Sequence, residues 1–147
     1  MKEKLLVLAK AAPIVSGKYE HLICVAGITD KGEWRRIYPI PLKLFLEGKG
    51  FKKKTWIEYE LKEDLPSDHR PESRKIISES VRQLNEEPFT KIDALLKSKL
   101  TTLEELQTKS AKEISLGVIK PKIIDFYASD NKHYSDMASK SKQQTLS

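Results

Sequence analysis

Two continuous apolar runs of strand length constrain the fold of this chain more than any other feature of its sequence. Residues 5–9 read Leu-Leu-Val-Leu-Ala, and residues 22–28 read Leu-Ile-Cys-Val-Ala-Gly-Ile. A strand that is apolar at successive positions is covered on both faces, so these runs predict two strands at the centre of a sheet. Residues 13–19 between them read as a loop. Residues 30–33, Asp-Lys-Gly-Glu, predict a hairpin turn before a third strand that begins at Trp34.

The middle of the chain predicts further extended structure. Residues 54–61 alternate, with Ile57, Tyr59 and Leu61 on one face, and Trp56 falls on the other face with glutamates. Residues 72–84 fit a helix or a strand, and the preceding proline favours the extended alternative. Pro39 and Pro41 predict an end to ladder pairing in the third strand, followed by one helical turn over residues 42–46.

The second half of the chain predicts two short helices. An apolar stripe at Ile92, Leu95 and Leu96 favours the first, and Thr102 with Glu105 can form a capping box that opens the second. Residues 118–127 predict a late strand, in which Pro121 argues for an edge position or a bulge. From residue 129 the chain is polar and rich in Ser, Lys and Gln, which predicts a disordered tail or linker.

This order of elements has too few helical crossovers for a doubly wound fold. It predicts one α+β domain over residues 1–128 with a polar tail over residues 129–147. The sheet should be mainly antiparallel and curved, or a small open β-barrel of the PUA-like type or similar, with two short helices. Small barrels of this kind, including oligonucleotide-binding ones, present aromatic and arginine side chains on a sheet face or rim, which is an analogy of fold alone.

Composition narrows the class of protein. The chain is 39% apolar and 33% charged, as in globular proteins, and its net charge of +6 favours anionic partners. Cys24 is the only cysteine and reads as a small buried apolar residue, so neither a structural metal nor a cofactor is expected. The N-terminal apolar run is too short for a signal peptide, and no segment is long enough to span a membrane. We therefore expect a cytoplasmic protein.

One strand face combines aromatic and guanidinium groups. Alternation along the third strand places Trp34, Arg36 and Tyr38 together. Arg36 could stack on a base or bind a phosphate, since a guanidinium is both a planar surface and a bidentate donor. The alternative is that the two aromatic residues belong to the core and that Arg36 covers them. The lysine run over residues 52–54 could follow a phosphate backbone, or it could simply keep a loop solvated.

Residues 68–74 form the densest polar cluster, Asp-His-Arg-Pro-Glu-Ser-Arg. A phosphodiesterase could hold Mg²⁺ with Asp68 or Glu72, use His69 as general base, and stabilise developing negative charge with Arg70. Nuclease sites usually draw their carboxylates from several elements, and no second acidic pair is evident. The cluster could instead be an internal ion-pair network or part of a binding surface.

The chain resembles an uncharacterised prokaryotic protein family. The resemblance covers nearly the whole length and rests on a first strand that ends in lysine and on the motifs Trp-x-Arg-x-Tyr-Pro-x-Pro at residues 34–41, Arg-Pro-Glu-Ser at residues 70–73 and Ser-Leu-Gly at residues 115–117. The family brings no established activity, so no catalytic role is carried over. The resemblance does imply that the first two motifs belong together, and that a second, C-terminal module often follows a domain like this one.

We therefore predict a module that binds nucleic acid, DNA or RNA, and is not associated with a membrane. One alternative is a metal-assisted phosphodiesterase centred on Asp68, His69 and Glu72. Another is a protein-interaction subunit whose aromatic face docks a partner chain. The residues predicted to bind nucleic acid are Trp34, Arg36, Tyr38, Lys52, Lys53, Lys54, Trp56, Arg70 and Arg74.

Overall fold

The computed structural model describes residues 1–11, 14–15, 21–48, 50–110 and 112–125. Within these ranges the chain forms strands and short helices in an α+β arrangement. The predicted tail over residues 129–147 lies outside the described residues, as does most of the predicted loop over residues 13–19. The elements are β1 (Lys2–Lys10), β2 (Ile14–Val15), β3 (His21–Thr29), β4 (Trp34–Pro41), α1 (Lys43–Leu46), β5 (Thr55–Leu61), β6 (Ser73–Glu86), α2 (Phe89–Ser98) and α3 (Leu103–Thr108).

Five of the strands close into a small barrel. They neighbour one another in the order β1, β5, β6, β4 and β3, and β3 returns to pair with β1. Every pair is antiparallel except β4 with β6, which run parallel over three residue pairs. The short β2 adds to β3 outside this ring. The predicted small α+β barrel is confirmed, and its closure leaves few exposed strand edges.

The barrel interior is filled by the apolar side chains that alternate along its strands. Tyr59 and Ile57 of β5 are fully buried there, as the alternation of residues 54–61 predicts. α1 and Phe51 close one end of the barrel, where Phe45 packs against Phe51 with ring centroids 5.0 Å apart. The buried residues of this core are Leu5, Val7, Ile23, Val25, Ile37, Ile40, Phe51, Ile57, Tyr59, Leu61 and Ile76.

A second apolar layer lies outside the barrel. Leu6 and Ile28 are fully buried although neither belongs to the interior cluster, and they sit opposite each other on β1 and β3. Ile92, the buried residue of α2, belongs to this layer. The prediction that both runs are covered on two faces therefore holds at Leu6 and Ile28, whereas Leu8 and Cys24 are only partly buried and Ala9 is exposed.

The connection between β3 and β4 is the predicted hairpin turn. β3 ends at Thr29 and β4 begins at Trp34, and Gly32 has a φ of +81° in the turn. A second glycine permits a close approach of strands, because a Cβ on Gly27 would lie 2.0 Å from the carbonyl oxygen of Leu6. The pairing of β1 with β3, which closes the barrel, therefore depends on a residue without a side chain at position 27.

Three sequence-based predictions of local structure were wrong. Pairing continues through Pro39 and Pro41 to the end of β4, because beyond Tyr38 this strand pairs with β3 alone and an edge strand tolerates proline. Residues 14–15, assigned to a loop, pair with β3. Residues 118–125 form no strand apart from one isolated bridge between Leu100 and Val118, and residues 126–127 lie outside the described part of the chain.

A charged network occupies the barrel interior near one end. Arg35 donates to Glu3 through Nη2 at 2.8 Å, and the same nitrogen donates to Glu33 at 2.8 Å. The hydroxyl of Tyr59 donates to the other oxygen of Glu3 at 2.6 Å. Burial and the neighbouring Glu3 carboxylate both raise the pKa of Tyr59, so its hydroxyl stays protonated and serves as a donor. Arg35 thus has a structural role inside the barrel, away from the outer face that carries Arg36.

Candidate functional site

The outer face of β4 presents the predicted aromatic and guanidinium residues in two adjacent cavities. Trp34, Arg36 and Tyr38 are partly exposed there, whereas Arg35 and Ile37 between them are buried. Residues 115–118 cross this face, because Ser115 contacts Arg36 while Leu116, Gly117 and Val118 line the cavity that contains Trp34. We name the two cavities the polar cleft and the apolar groove.

The polar cleft is a cavity of about 390 Å³ on the outer face of β3, β4 and the start of β6. It brings together two arginines, a carboxylate, a phenol and two hydroxyls from two separate parts of the chain, β4 and residues 67–73. Its lining residues are Ala11, Cys24, Arg36, Tyr38, Ser67, Asp68, Arg70 and Ser73. Three of the predicted binding residues, Arg36, Tyr38 and Arg70, thus line one cavity, and the Arg-Pro-Glu-Ser motif lies beside the strand that carries Arg36, as the family resemblance implies.

Arg36 is half-buried and has no carboxylate partner among the described residues. Its Nη2 donates to the carbonyl and the hydroxyl of Ser115, both at 3.4 Å, and its Nη1 approaches the sulfur of Cys24 at 4.0 Å. Its Nε is buried and makes no hydrogen bond. These contacts are long and neutral, so the guanidinium forms no direct ion pair among the described residues, and the carboxylate of Glu72 reaches it only through Ser115.

The other four arginines of the chain all form ion pairs. Arg35 pairs with Glu3 and Glu33, Arg70 with Asp68, Arg74 with Asp64, and Arg82 with Glu58. All of the arginines lie in the described part of the chain. Arg36 is the one that forms no ion pair there, and it lines the polar cleft.

Glu72 holds residue 115 over the cleft. Its carboxylate accepts hydrogen bonds from the Ser115 backbone N–H and hydroxyl, both at 2.7 Å, and its side chain is almost fully buried. Burial alone would raise the pKa of Glu72, but the hydrogen bonds from Ser115 outweigh it and lower the pKa below its ordinary value. The ionised carboxylate thus positions Ser115, and Ser115 in turn contacts Arg36.

We expect the stabilising effect of Glu72 to depend on pH. Because its pKa is lower in the folded state, its contribution is complete above the unfolded-state pKa near 4.5 and disappears as the pH falls through the folded-state value. Glu72→Gln should cost about 1.5–3 kcal/mol at neutral pH, the range for hydrogen bonds to charged groups. Urea unfolding at pH 7, 5 and 3.5 should show this difference shrinking below pH 4.5.

The matched control for this measurement is Glu79→Gln, which changes an exposed carboxyl on β6, the strand that begins directly after Glu72. Its stability should follow that of the parent at each pH. A Glu72→Gln variant that also follows the parent in parallel over the whole range would show that the ionised carboxylate does not hold Ser115.

Asp68 and Arg70 form a pair at the mouth of the polar cleft. Asp68 accepts hydrogen bonds from the backbone N–H of Arg70 at 2.8 Å and from its guanidinium. The Arg70 side chain holds the pKa of Asp68 well below its usual range. Ser73 is buried, and its hydroxyl makes no hydrogen bond to any described residue. His69 between the paired residues is exposed.

The three residues of the phosphodiesterase alternative are not arranged as a metal site. Asp68 is bound by Arg70, and Glu72 by Ser115. Over the described ranges, no group of three or more His, Cys, Asp or Glu side chains is placed to hold a metal ion. Likewise, none of the helices described is long and apolar enough to cross a membrane.

The apolar groove is a cavity of about 360 Å³ between α2 and the outer face of the barrel. Trp34 forms part of its wall, and Lys53 and Lys54 are the charged residues that line it. The ammonium of Lys54 lies 5.3 Å from the ring centroid of Phe89, which is a cation–π distance. The remaining lining residues are Leu8, Ala9, Ala26, Phe89, Ile92, Leu96, Leu116, Gly117 and Val118.

The other predicted site residues lie elsewhere. Lys52 is exposed in the loop before β5. Trp56 lies on the outer face of β5 opposite Leu6, and its indole N–H donates to Glu87 at 2.5 Å. Arg74 pairs with Asp64 and donates to two backbone carbonyls, so its guanidinium is already satisfied. The structure therefore does not place Trp56 or Arg74 in either cavity.

Reasoning from the sequence did not assign to the site Cys24, which lines the polar cleft, or Ser115, which contacts Arg36. Cys24 is half-buried and lines the cleft, whereas its apolar neighbours predict a buried residue. Burial alternates along β3, so that Ile23 and Val25 face the interior and Cys24 between them faces outward. Ser115 is far from Arg36 in sequence, and the only signal for it was its presence in the Ser-Leu-Gly motif.

Comparison with known proteins supports the family resemblance. No match was found among the curated proteins or among the solved structures. One family model matches residues 1–111, which include the barrel, the polar cleft residues and the first two motifs. Because this match covers more than half of the 147 residues, the chain belongs to the family described as "Domain of unknown function (DUF8758)".

Proposed function

We propose that this chain is a cytoplasmic module that binds nucleic acid through the outer face of β4 and the adjoining lysine loop at residues 52–54. The observation that carries the proposal is the guanidinium of Arg36, which lines the polar cleft without a direct ion pair among the described residues. A half-buried cation with only long, neutral contacts is poorly paired, and a bound anion would supply the missing partner. A phosphate is the anion whose geometry suits the planar donor group of arginine.

The side chains around Arg36 favour a nucleic acid over a simple anion. Tyr38 is 41% exposed and lines the same cleft, so one face offers a ring for stacking beside a donor for phosphate. Aromatic rings combined with a basic groove are the usual means of binding single strands, because every base has a π-face and every nucleotide carries a phosphate.

The lysine loop supplies further positive charge next to the barrel. Lys52, Lys53 and Lys54 are exposed. Burial lowers the pKa of Lys10, and the charge of Lys53 lowers it further, so two cations repel each other at this end of β1. A phosphate bound there would relieve this repulsion, and each phosphate contact would release counterions.

The test is a titration of labelled single- and double-stranded DNA and RNA with the purified chain, followed by fluorescence anisotropy at two salt concentrations. Affinity should fall steeply as salt rises. Lys53→Ala should weaken binding to all sequences alike and reduce the slope of log K against log salt by about 0.7–0.9, the value for one phosphate contact. Lys2→Ala is the control, since Lys2 lies on the other end of β1 and pairs with Glu58.

Two results of this titration would contradict the proposal. An affinity that does not change with salt would show that the protein makes no phosphate contacts. An equal loss of affinity in Lys53→Ala and Lys2→Ala would show that only the net charge of the protein matters. A gel of the same samples with and without Mg²⁺ tests the phosphodiesterase alternative. That alternative predicts metal-dependent cleavage that Glu72→Ala abolishes.

A protein-interaction role is the second candidate, and the apolar groove is the observation that favours it. Trp34 lines this groove, with Lys53 and Lys54 as its charged residues. A partner chain could bury an apolar side chain there while the lysines remain solvated at the rim. This candidate predicts no binding of any nucleic acid in the titration, and association with a protein that is insensitive to salt.

A further inference from the structure

We infer that the polar cleft binds one unpaired nucleotide, with its phosphate against Arg36 and its base against the ring of Tyr38. This inference rests on the proposed function and goes further, because it names the unit that is bound and requires that unit to be outside a double helix. The cleft volume of about 390 Å³ suits one such unit, since small-ligand pockets span roughly 300–1,000 Å³.

The charges of the cleft select for an anionic ligand that is rich in acceptors. Its ionisable walls are the guanidinium groups of Arg36 and Arg70 and the carboxylate of Asp68. Asp68 is bound on both oxygens by Arg70, so this pair is neutral overall. The Glu72 carboxylate is occupied by the backbone N–H and hydroxyl of Ser115, so Arg36 is the cation of the cleft without a direct carboxylate partner among the described residues. The contacts of Arg36 with Ser115 are at 3.4 Å, which is long enough for a charged acceptor to compete with them.

The walls of the cleft also provide a site for a base. Tyr38 exposes part of its ring, and Ala11 and Cys24 offer small, weakly polar surfaces beside it. Ser67 lines the same cleft and is only partly buried, so its hydroxyl is available to donate to or accept from a base edge. A planar ligand with polar edges satisfies both features, whereas inorganic phosphate would satisfy only Arg36.

The size of the cleft excludes a paired nucleotide. Its volume of about 390 Å³ is near the lower end for small-ligand pockets, so it takes one nucleotide unit and not a stacked base pair. A base in a duplex is covered on both faces by its neighbours and paired at its edge. It reaches a concave site only after it leaves the stack, as in enzymes that extrude a base.

The experiment compares three duplexes of the same sequence, in DNA or RNA according to which binds more tightly. The first is fully paired, the second has a central single-nucleotide bulge, and the third has an abasic residue at the bulge. The nucleotide bulge should bind about 5- to 150-fold more tightly than the abasic bulge, the effect expected for one base stacked on an aromatic ring. This comparison uses the unmodified protein, so it does not depend on how any variant folds.

Two variants locate the effect. Tyr38→Ala should abolish the preference for the nucleotide bulge over the abasic bulge, while Tyr38→Phe should keep most of it because the ring remains. Equal affinity of the unmodified protein for all three duplexes, with binding still sensitive to salt, would overturn the nucleotide site and leave the proposed function standing. No binding to any of the three would overturn both.

Discussion

Glu3→Gln should lower the free energy of unfolding by about 3–5 kcal/mol, the cost of removing one partner from a buried ion pair. The carboxylate of Glu3 accepts hydrogen bonds from Arg35 and from the Tyr59 hydroxyl inside the barrel. The side chains of Arg35 and Glu3 are both 9% exposed, so water cannot replace the lost contact. The measurement is urea unfolding at pH 7, followed by the fluorescence of the two tryptophans.

Glu33→Gln is the matched control, because it removes a carboxylate from the same guanidinium on its solvent side. Glu33 is 56% exposed, so we expect a loss of less than about 1 kcal/mol, as for surface ion pairs. Equal losses in the two variants would show that the interior pair is not desolvated. The triple variant with Glu3→Leu, Arg35→Met and Tyr59→Phe should recover much of the stability, since it leaves no buried polar group without a partner.

The sequence predicts the fold well where a pattern is local. The apolar runs of β1 and β3, the turn at residues 30–33 and the alternation of β5 each depend on neighbours within a few residues. The capping box of Thr102 with Glu105 is confirmed for the same reason. These features arise from side-chain period and turn chemistry, which a short stretch of chain fully determines.

Prediction from the sequence fails where the structure of a segment depends on a partner that is distant along the chain. Pro39 and Pro41 remain in β4 because β6 leaves that strand after Tyr38, and no local pattern shows where β6 ends its pairing. Residues 118–125 have the composition of a strand, but their one described pairing is the bridge between Val118 and Leu100, which lies outside the strands. β-propensity describes how well a side chain fits a sheet, so by itself it does not supply the pairing partner that a strand needs.

The same distinction applies to the candidate site. Alternation alone predicts that Trp34, Arg36 and Tyr38 share a face, and the structure places all three on the outer face of β4. Their division between two cavities follows from residues 115–118, which are remote in sequence. Arg70 and Arg74 belong to one motif, yet only Arg70 reaches the polar cleft, because the guanidinium of Arg74 is held by Asp64 and by backbone carbonyls.

Arg36→Ala should weaken nucleic-acid binding about 10- to 150-fold, the effect of losing a hydrogen bond to a charged group. Arg36 is half-buried and lacks a carboxylate among the described residues, so the variant removes a cation that no internal partner needs. Stability should change little, because its present contacts are long and neutral. Anisotropy titrations with the tightest-binding strand at two salt concentrations measure the loss, and thermal unfolding checks the fold.

The control is Arg82→Ala, which removes the same charge from the outer face of β6, where Arg82 pairs with Glu58 and its side chain is 65% exposed. If net charge alone attracted the nucleic acid, both variants would lose affinity equally, whereas a site centred on Arg36 loses affinity only in Arg36→Ala.

Arg36→Lys separates the contribution of the charge from that of the guanidinium geometry. It keeps the positive charge and should preserve the salt dependence, but it cannot present a planar pair of donors, so its affinity should lie between that of Arg36→Ala and that of the parent. Full affinity in Arg36→Lys would show that charge is sufficient and that the cleft does not use the geometry of the guanidinium.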